Sequence, residues 1–242
     1  MFKLPVYFIS DNHFKIDIDD TEKDRREKLF HVFEKIKSTG GTLVLGGDFF
    51  DFWFGYRYVI PSGYVDLLEQ LTQVHKSGIS IHYVVGNHDY WDFGYLNREA
   101  NIIVHDNDFE FNYSNQKILI THGDGILKSD RGYRVMKSII RSNLFINFYK
   151  LFPARLTCKL ANQISKSSAH YNHNDKYVKE IKKDTLEYAQ EKWNKNYDIV
   201  FATSTKLMTA FLGAFISKNK NTRFYCEFRD NFIQSLHSIS NS

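Results

Sequence analysis

The chain has 242 residues, which is enough for one large domain with a sizeable core or for two small ones. A formal net charge of +4 is compatible with an anionic substrate or a membrane surface, but it is too weak to indicate binding to nucleic acid. There is no basic and apolar leader and no apolar run long enough to span a bilayer, so we expect a cytoplasmic protein. The two cysteines, Cys158 and Cys226, match no metal or redox spacing and indicate unpaired thiols.

Strands and helices alternate over the first 90 residues. The apolar run Leu43 to Leu45 lacks polar alternation, which is typical of a parallel strand buried on both faces. Amphipathic segments separate the apolar runs, so right-handed crossovers and a parallel sheet are expected. The pattern predicts strands at 4–10, 42–46 and 79–85 and helices at 21–38 and 64–77. In the first helix the residues predicted to share the buried face are Leu29, Val32, Phe33 and Ile36.

The pattern changes between Ile102 and Ile120. Apolar and polar residues alternate here around a turn at Asn115, which predicts a β-hairpin. Residues 129–195 have mostly helical patterns, and 198–201 reads as a further buried strand. Because no linker or repeat interrupts the chain, the sequence predicts a single α/β domain over residues 1–242, with the helical segment as an insertion.

Metal-binding side chains follow the predicted strands where each strand ends. Carboxylate, imidazole and amide oxygen together are ligands for divalent Mn, Zn or Fe. A single aspartate after a strand is more often a turn or a helix cap, and a single histidine is more often a structural or exposed side chain. Four such groups, each directly after an apolar strand, are better explained by a metal site. The groups are Asp11 with His13, Asp48 with Asp51, Asn87 with His88 and Asp89, and His122 with Asp124.

In combination, these motifs resemble the successive signatures of the calcineurin-like metallophosphoesterases. That family has a layered β-sandwich flanked by helices. The UDP-2,3-diacylglucosamine hydrolase branch, which acts in lipid A synthesis, is more similar still, since residues 48–54 and 122–125 resemble it and a helical insertion is typical of it. His88 stands where the best-known members of that branch carry Arg, and Gly-Asn-His-Asp is the general phosphoesterase form. The motifs are Asp11-x-His13, Gly47-Asp48-x-x-Asp51 and Gly86-Asn87-His88-Asp89.

The resemblance implies a dinuclear metal centre. Asp48 would bridge two divalent ions, with Mn²⁺ expected before Zn²⁺ or Fe²⁺. Asp11 and His13 would bind the first ion, and Asn87 and His122 the second. Two cations a few ångströms apart need a shared carboxylate to offset their repulsion, and together they activate water for attack on phosphorus.

Other residues would act around the metals. The resemblance implies that His88 is the acid or charge stabiliser near the leaving oxygen and that Asp89 orients it. Asp51 would hold loops or a ligand histidine. Arg131 and Arg134 would meet a substrate phosphate, unless they are simply exposed charges on a helix.

The last motif of the family is missing. The family closes its site with Gly-His-x-His after a late strand, and here Thr203 and Thr205 stand where the two histidines are expected. A hydroxyl is a poor ligand for a transition metal beside imidazole, so weaker metal binding follows from this difference. A local frameshift is a second explanation, because another frame of the codons for 201–206 can encode His-x-His.

The first part of the predicted insertion mixes apolar and aromatic residues with basic ones. Residues 135–160 would form an acyl-chain groove or a membrane-facing patch, unless they pack as ordinary helices against the sheet. Residues 52–54 would line the same groove or belong to the core. The charged run 176–195 is typical of a solvated helix face.

We therefore expect a metal-dependent hydrolase that cleaves the pyrophosphate of an acylated UDP-sugar in lipid A synthesis, at or near the cytoplasmic face of the inner membrane. A general phosphodiesterase or nucleotide hydrolase is one alternative, although a soluble substrate would not need the apolar insertion. A pseudoenzyme that binds a lipid or a partner is the other alternative, and Thr203 and Thr205 favour it.

Overall fold

The chain groups into two compact units, Met1–Asp108 with Thr121–Thr185, and Phe109–Ile120 with Leu186–Ser242. The prediction of a single domain stays a prediction. The structure is a computed structural model that describes residues 2–55, 60–113, 115–122, 128, 130–149, 151, 183–184, 186–188, 190–191, 199–204 and 223–228.

The first unit contains a parallel four-stranded sheet in the order β1-β2-β3-β4. The α/β class predicted from the sequence is confirmed, as are three of these strands. The fourth strand was not predicted, because three residues are too few to show a period. Since every neighbouring pair is parallel, the carboxyl ends of the strands meet at one edge. The strands are β1 (Val6–Ile9), β2 (Thr42–Leu45), β3 (Ser80–Val84) and β4 (Ile103–His105).

Helices α1 (Asp20–Thr39), α2 (Val65–Lys76) and α3 (Tyr95–Ala100) connect these strands. Helix α1 begins where the Asp19 carboxylate accepts a hydrogen bond from the Glu22 backbone N–H at 2.7 Å. The prediction that Val32 lies on its buried face is wrong, because this side chain is 45% exposed. Val32 lies just outside the buried face of α1. The residues of that face are Glu22, Arg26, Leu29, Phe33 and Ile36.

The core of the first unit continues into the segment that follows β2. The Phe50 ring stacks on Trp53 at 4.8 Å and contacts the Tyr64 ring at 4.8 Å. All three rings are buried. Aromatic packing therefore anchors the backbone that carries Asp48 and Asp51.

A buried arginine joins α1 to two loops. Arg26 donates to Glu22 at 3.2 Å, to Asp66 at 2.7 Å and to the Gly63 carbonyl oxygen at 2.7 Å. Its remaining nitrogen donates to the Lys15 carbonyl oxygen. The guanidinium is 2% exposed, so these partners replace its hydration.

The second unit contains the other four-stranded sheet, in the order β5-β6-β7-β8. Strands β5 and β6 form the predicted antiparallel hairpin, and Asn115 in its turn has a φ of 65°. Strands β7 and β8 add to the sheet in parallel. The strands are β5 (Phe109–Tyr113), β6 (Gln116–Ile120), β7 (Ile199–Ser204) and β8 (Arg223–Phe228).

Two short helices, α4 (Arg131–Ile140) and α5 (Asn143–Tyr149), begin the predicted insertion. No side chain of α4 is buried, which argues against ordinary packing of this helix on a sheet. None of the described helices is long and apolar enough to cross a bilayer. The exposed apolar side chains of this segment include Val135 at 59%, Ile139 at 54%, Leu144 at 86% and Phe148 at 59%.

Replacing Arg26 with methionine should lower the free energy of unfolding by about 3–5 kcal/mol, because Glu22 and Asp66 would lose their buried partner. Urea denaturation followed by circular dichroism measures this change. The matched control is Lys28→Met, which breaks the exposed pair between Lys28 and Asp24 and should cost less than about 1 kcal/mol. Equal losses in the two variants would contradict a stabilising role for the buried network.

Candidate metal centre

The loops that follow β1 and β2 are held together by backbone hydrogen bonds. The Asp11 N–H donates to the Gly47 carbonyl oxygen at 2.9 Å, and the His13 N–H donates to the Asp48 carbonyl oxygen at 2.8 Å. Asp11, His13 and Asp48 have φ angles of 52°, 47° and 49°, in the left-handed region that non-glycine residues rarely occupy. Such strain persists where the surroundings over-determine the backbone, as they do at functional sites.

Glycine is required beside Asp48. A Cβ atom on Gly86 would lie 2.0 Å from the Asp48 Oδ1 atom. A Cβ atom on Gly47, whose φ is 98°, would lie 2.5 Å from the His122 Nδ1 atom. The glycines of the two motifs therefore allow the side chains of the site to approach the backbone closely.

Asp89 holds the loops of β2 and β3 together from inside the core. Its Oδ1 atom accepts from the Gly86 N–H at 2.6 Å, and its Oδ2 atom accepts from the Phe49 N–H at 2.9 Å and from the Tyr83 hydroxyl. Burial and the charge of Asp48 raise the pKa of Asp89 to about 7, against the lowering effect of its donors.

The hydrogen bonds of both Asp89 oxygens go to Gly86, Phe49 and Tyr83, and the orienting role of Asp89 toward His88 stays a prediction. The His88 Nδ1 atom lies 2.6 Å from the Asp51 carbonyl oxygen. Because a carbonyl only accepts, Nδ1 carries the proton of this hydrogen bond, and Nε2 is the nitrogen that can exchange a proton.

Asp11, His13 and Asp48 form one group of possible ligands. Their ligand atoms all lie within 4.8 Å of one another. The His13 Nε2 atom is 3.7 Å from Asp48 Oδ2, and its Nδ1 atom is 3.8 Å from Asp51 Oδ1. Burial lowers the pKa of His13, which favours the neutral imidazole that a metal requires. His13, Asp51 and His88 form a second group with the same spacing limit.

His122, which follows β6, also contacts Asp48. Its Nε2 atom lies 3.2 Å from Asp48 Oδ2 and 3.3 Å from Asn87 Oδ1. Its Nδ1 atom lies 3.2 Å from the Gly46 carbonyl oxygen, which orients the ring. Burial raises the pKa of Asp48, but the hydrogen bond and charge of His122 outweigh it and lower the pKa to about 2.

These residues fit a pair of divalent cations. The Asp48 Oδ2 atom lies 3.7 Å from His13 Nε2 and 3.2 Å from His122 Nε2, so this carboxylate can contribute to both positions. Carboxylates, imidazoles and an amide oxygen form a donor set suited to Mn²⁺, Zn²⁺ or Fe²⁺. The left-handed backbone at Asp11, His13 and Asp48 sets the direction of three of these side chains.

The structure also describes Arg131, Arg134 and Thr203, and their predicted roles stay predictions. Arg131 and Arg134 are exposed on α4, and within the described residues no side-chain hydrogen bond or ion pair joins them to the metal-site loops. Thr203 lies in β7. Asp124 and Thr205 lie outside the described residues.

Sequence reasoning missed residues that support the site from outside the motifs. Tyr83 donates its hydroxyl proton to Asp89. Trp91 donates from Nε1 to the Ile140 carbonyl oxygen at 3.1 Å, which attaches α4 to the loop after β3. The only signal in the sequence was that Trp91 follows Asp89 by two positions.

A parallel sheet whose loops gather carboxylates, imidazoles and an amide oxygen is typical of a class, the metal-dependent hydrolases. The chain belongs to the calcineurin-like phosphoesterase family, which matches residues 4–201. The family uses divalent metals.

Curated relatives of this chain are named UDP-2,3-diacylglucosamine hydrolase. One from Porphyromonas gingivalis is 33% identical over 67% of this chain, and the match spans 63% of that protein, less than two thirds of its length. One from Histophilus somni is 22% identical over 79% of this chain and 80% of its own length. One from Photorhabdus laumondii is 24% identical over 63% and 65%.

A solved structure of a protein of unknown function from Aquifex aeolicus is 20% identical to this chain. The similarity covers 56% of this chain and 70% of that one, with a TM-score of 0.34. A score this low supports no conclusion about the fold.

Replacing Gly86 with alanine should weaken metal binding at least tenfold, because the new methyl group would overlap the Asp48 carboxylate and displace it. Titration of the metal-free protein with Mn²⁺ in a calorimeter measures the affinity. The matched control is Gly132→Ala on the exposed helix α4, where the nearest atom to the added methyl group lies 3.9 Å away. The control should keep native affinity, and native affinity in Gly86→Ala would contradict the close approach.

Proposed function

We propose that this protein is a metal-dependent phosphoesterase that hydrolyses the pyrophosphate of an acylated UDP-sugar, of the UDP-2,3-diacylglucosamine type, in lipid A biosynthesis. Membership of the phosphoesterase family supports the reaction type. The names of the relatives support the substrate class. Mn²⁺ is the metal we propose first, because the site is rich in carboxylate and amide oxygen donors.

Each residue of the centre has a proposed role. Asp11 and His13 would hold one metal, Asn87 and His122 the other, and Asp48 both. When bound, the metals supply Lewis acidity toward the phosphoryl group. His88 would hold or deliver a proton at Nε2 near the leaving oxygen, because Nδ1 is engaged by the Asp51 carbonyl oxygen.

The observation that carries the substrate proposal is the attachment of an exposed apolar segment to the metal-site loop. Trp91, two residues after Asp89, binds the last turn of α4 through the Ile140 carbonyl oxygen. The Phe54 ring contacts the Tyr149 ring of α5 at 4.9 Å and the Phe93 ring at 5.2 Å. Apolar side chains that face solvent beside a phosphoesterase site suit a substrate with acyl chains.

The same segment supports contact with the cytoplasmic face of the inner membrane. The sequence of α4 contains Arg131, Arg134 and Lys137 and no acidic residue. The sequence of α5 contains no charged residue. A basic helix with exposed apolar side chains is typical of binding to an anionic lipid surface.

Activity and metal content test the proposal together. The protein dialysed against Mn²⁺ should contain close to two metals per chain by mass spectrometry and hydrolyse both an acylated UDP-sugar and bis(4-nitrophenyl) phosphate. Removal of the metals with a chelator should abolish both activities. His88→Ala should lower kcat for the acylated UDP-sugar about 10²- to 10⁴-fold, and the metal content should stay the same.

Each failure has a distinct meaning for the proposal. Hydrolysis of the phosphodiester without hydrolysis of the acylated UDP-sugar would indicate a general phosphodiesterase. Loss of both activities with one metal or none would indicate a pseudoenzyme, as Thr203 and Thr205 favour. In that case, Thr203→His with Thr205→His should raise metal content.

The apolar segment should govern substrate preference. The double variant Ile139→Ser with Leu144→Ser should raise KM for the acylated UDP-sugar about 10- to 100-fold, since burying an aliphatic side chain contributes about 1.5–3 kcal/mol. Both side chains are exposed, so the fold should be unaffected. Val32→Ser, which removes an exposed aliphatic side chain from α1, is the matched control. An unchanged KM in the double variant would separate the segment from acyl recognition.

A further inference from the structure

The turn between α4 and α5 brings a cation against the metal-site loop. The Arg141 Nη2 atom donates to the Gly86 carbonyl oxygen at 3.4 Å. The Arg141 guanidinium lies over the Tyr90 ring, 3.9 Å from its centroid. Sequence reasoning considered Arg141 only as one basic residue of the insertion.

The position of Arg141 is defined from both ends of the turn. Helix α4 ends at Ile140, whose carbonyl oxygen is held by Trp91, and the Ser142 hydroxyl accepts from the Phe145 N–H at 3.3 Å at the start of α5. Contacts with Gly86 on one side and Tyr90 on the other therefore bracket the segment that carries Asn87 and His88.

Gly86 is the link between Arg141 and the metal centre. A methyl group on Gly86 would lie 2.0 Å from Asp48 Oδ1, so this residue lies directly against the shared carboxylate. The Gly86 carbonyl oxygen accepts the hydrogen bond from Arg141. One residue thus separates the guanidinium from the carboxylate between the two proposed metal positions.

A guanidinium group is planar and carries its N–H groups in a fork that matches phosphate oxygens. The contact with the Tyr90 ring stabilises the partly buried Arg141 guanidinium.

We propose that Arg141 binds a phosphate group of the substrate at the metal centre. The proposal rests on the phosphoesterase function proposed above and does not depend on the acyl chains or on turnover. It transfers to Arg141 the role that sequence reasoning gave to Arg131 and Arg134.

Binding of uridine monophosphate, compared with uridine, tests the role of Arg141. The Mn²⁺-loaded protein and its variants are titrated by calorimetry, and metal content is measured on the same samples. Arg141→Gln should raise the Kd for uridine monophosphate about 10- to 100-fold, with metal content and uridine binding unchanged. Arg141→Lys, which keeps the charge and loses the planar fork, should give an intermediate Kd. Lys35→Gln, which removes an exposed charge on α1, is the control for net charge.

Two results would overturn the proposal. One is a Kd for uridine monophosphate in Arg141→Gln that stays within twofold of the native value. The other is a fall in metal content in the same variant, which would mean that Arg141 only holds the loop. A different result is a native protein that binds uridine monophosphate through Arg141 and fails to hydrolyse the acylated UDP-sugar. This result would contradict the proposed substrate and leave the proposal for Arg141 intact.

Discussion

The proposed metal centre depends on one buried carboxylate that holds two of its loops together. Asp89 accepts hydrogen bonds from the backbone N–H groups of Phe49 and Gly86 and from the Tyr83 hydroxyl. It therefore connects the loops after β2 and β3 to the end of β3. A buried carboxylate with no partners would be costly, and here three donors compensate for its lost hydration. Asp89 therefore connects the loops that carry Asp48 and Asn87, and these loops cannot separate without breaking its hydrogen bonds.

The left-handed residues of the site follow from this constraint. Asp11, His13 and Asp48 occupy unfavourable backbone conformations, and two backbone hydrogen bonds between their loops hold them there. The free energy of folding offsets the strain before any metal arrives. A ligand set arranged in advance loses little conformational freedom on binding, which matters more in a chain that carries threonine where two family ligands are expected.

A second junction attaches the helical segment to the same loops. Trp91, Phe54 and Tyr149 pack or hydrogen bond across it, and Arg141 lies on Tyr90. The segment therefore has two different surfaces, one with exposed aliphatic side chains and one against the phosphoesterase loops. Such an arrangement suits a substrate that is anionic at one end and apolar at the other.

The order of apolar and polar residues was sufficient to predict the parallel sheet, its first two helices and the motifs at the strand ends. Apolar runs without alternation, such as Leu43 to Leu45, report burial on both faces, and parallel strands must present their following residues at one edge. The distant partner of each side chain depends on the three-dimensional fold. The Asp89 carboxylate accepts hydrogen bonds from two backbone N–H groups and from Tyr83, and Arg141 contacts the metal-site loop. These contacts could not be predicted, because local periodicity reports burial and carries no information about partners far away in the chain.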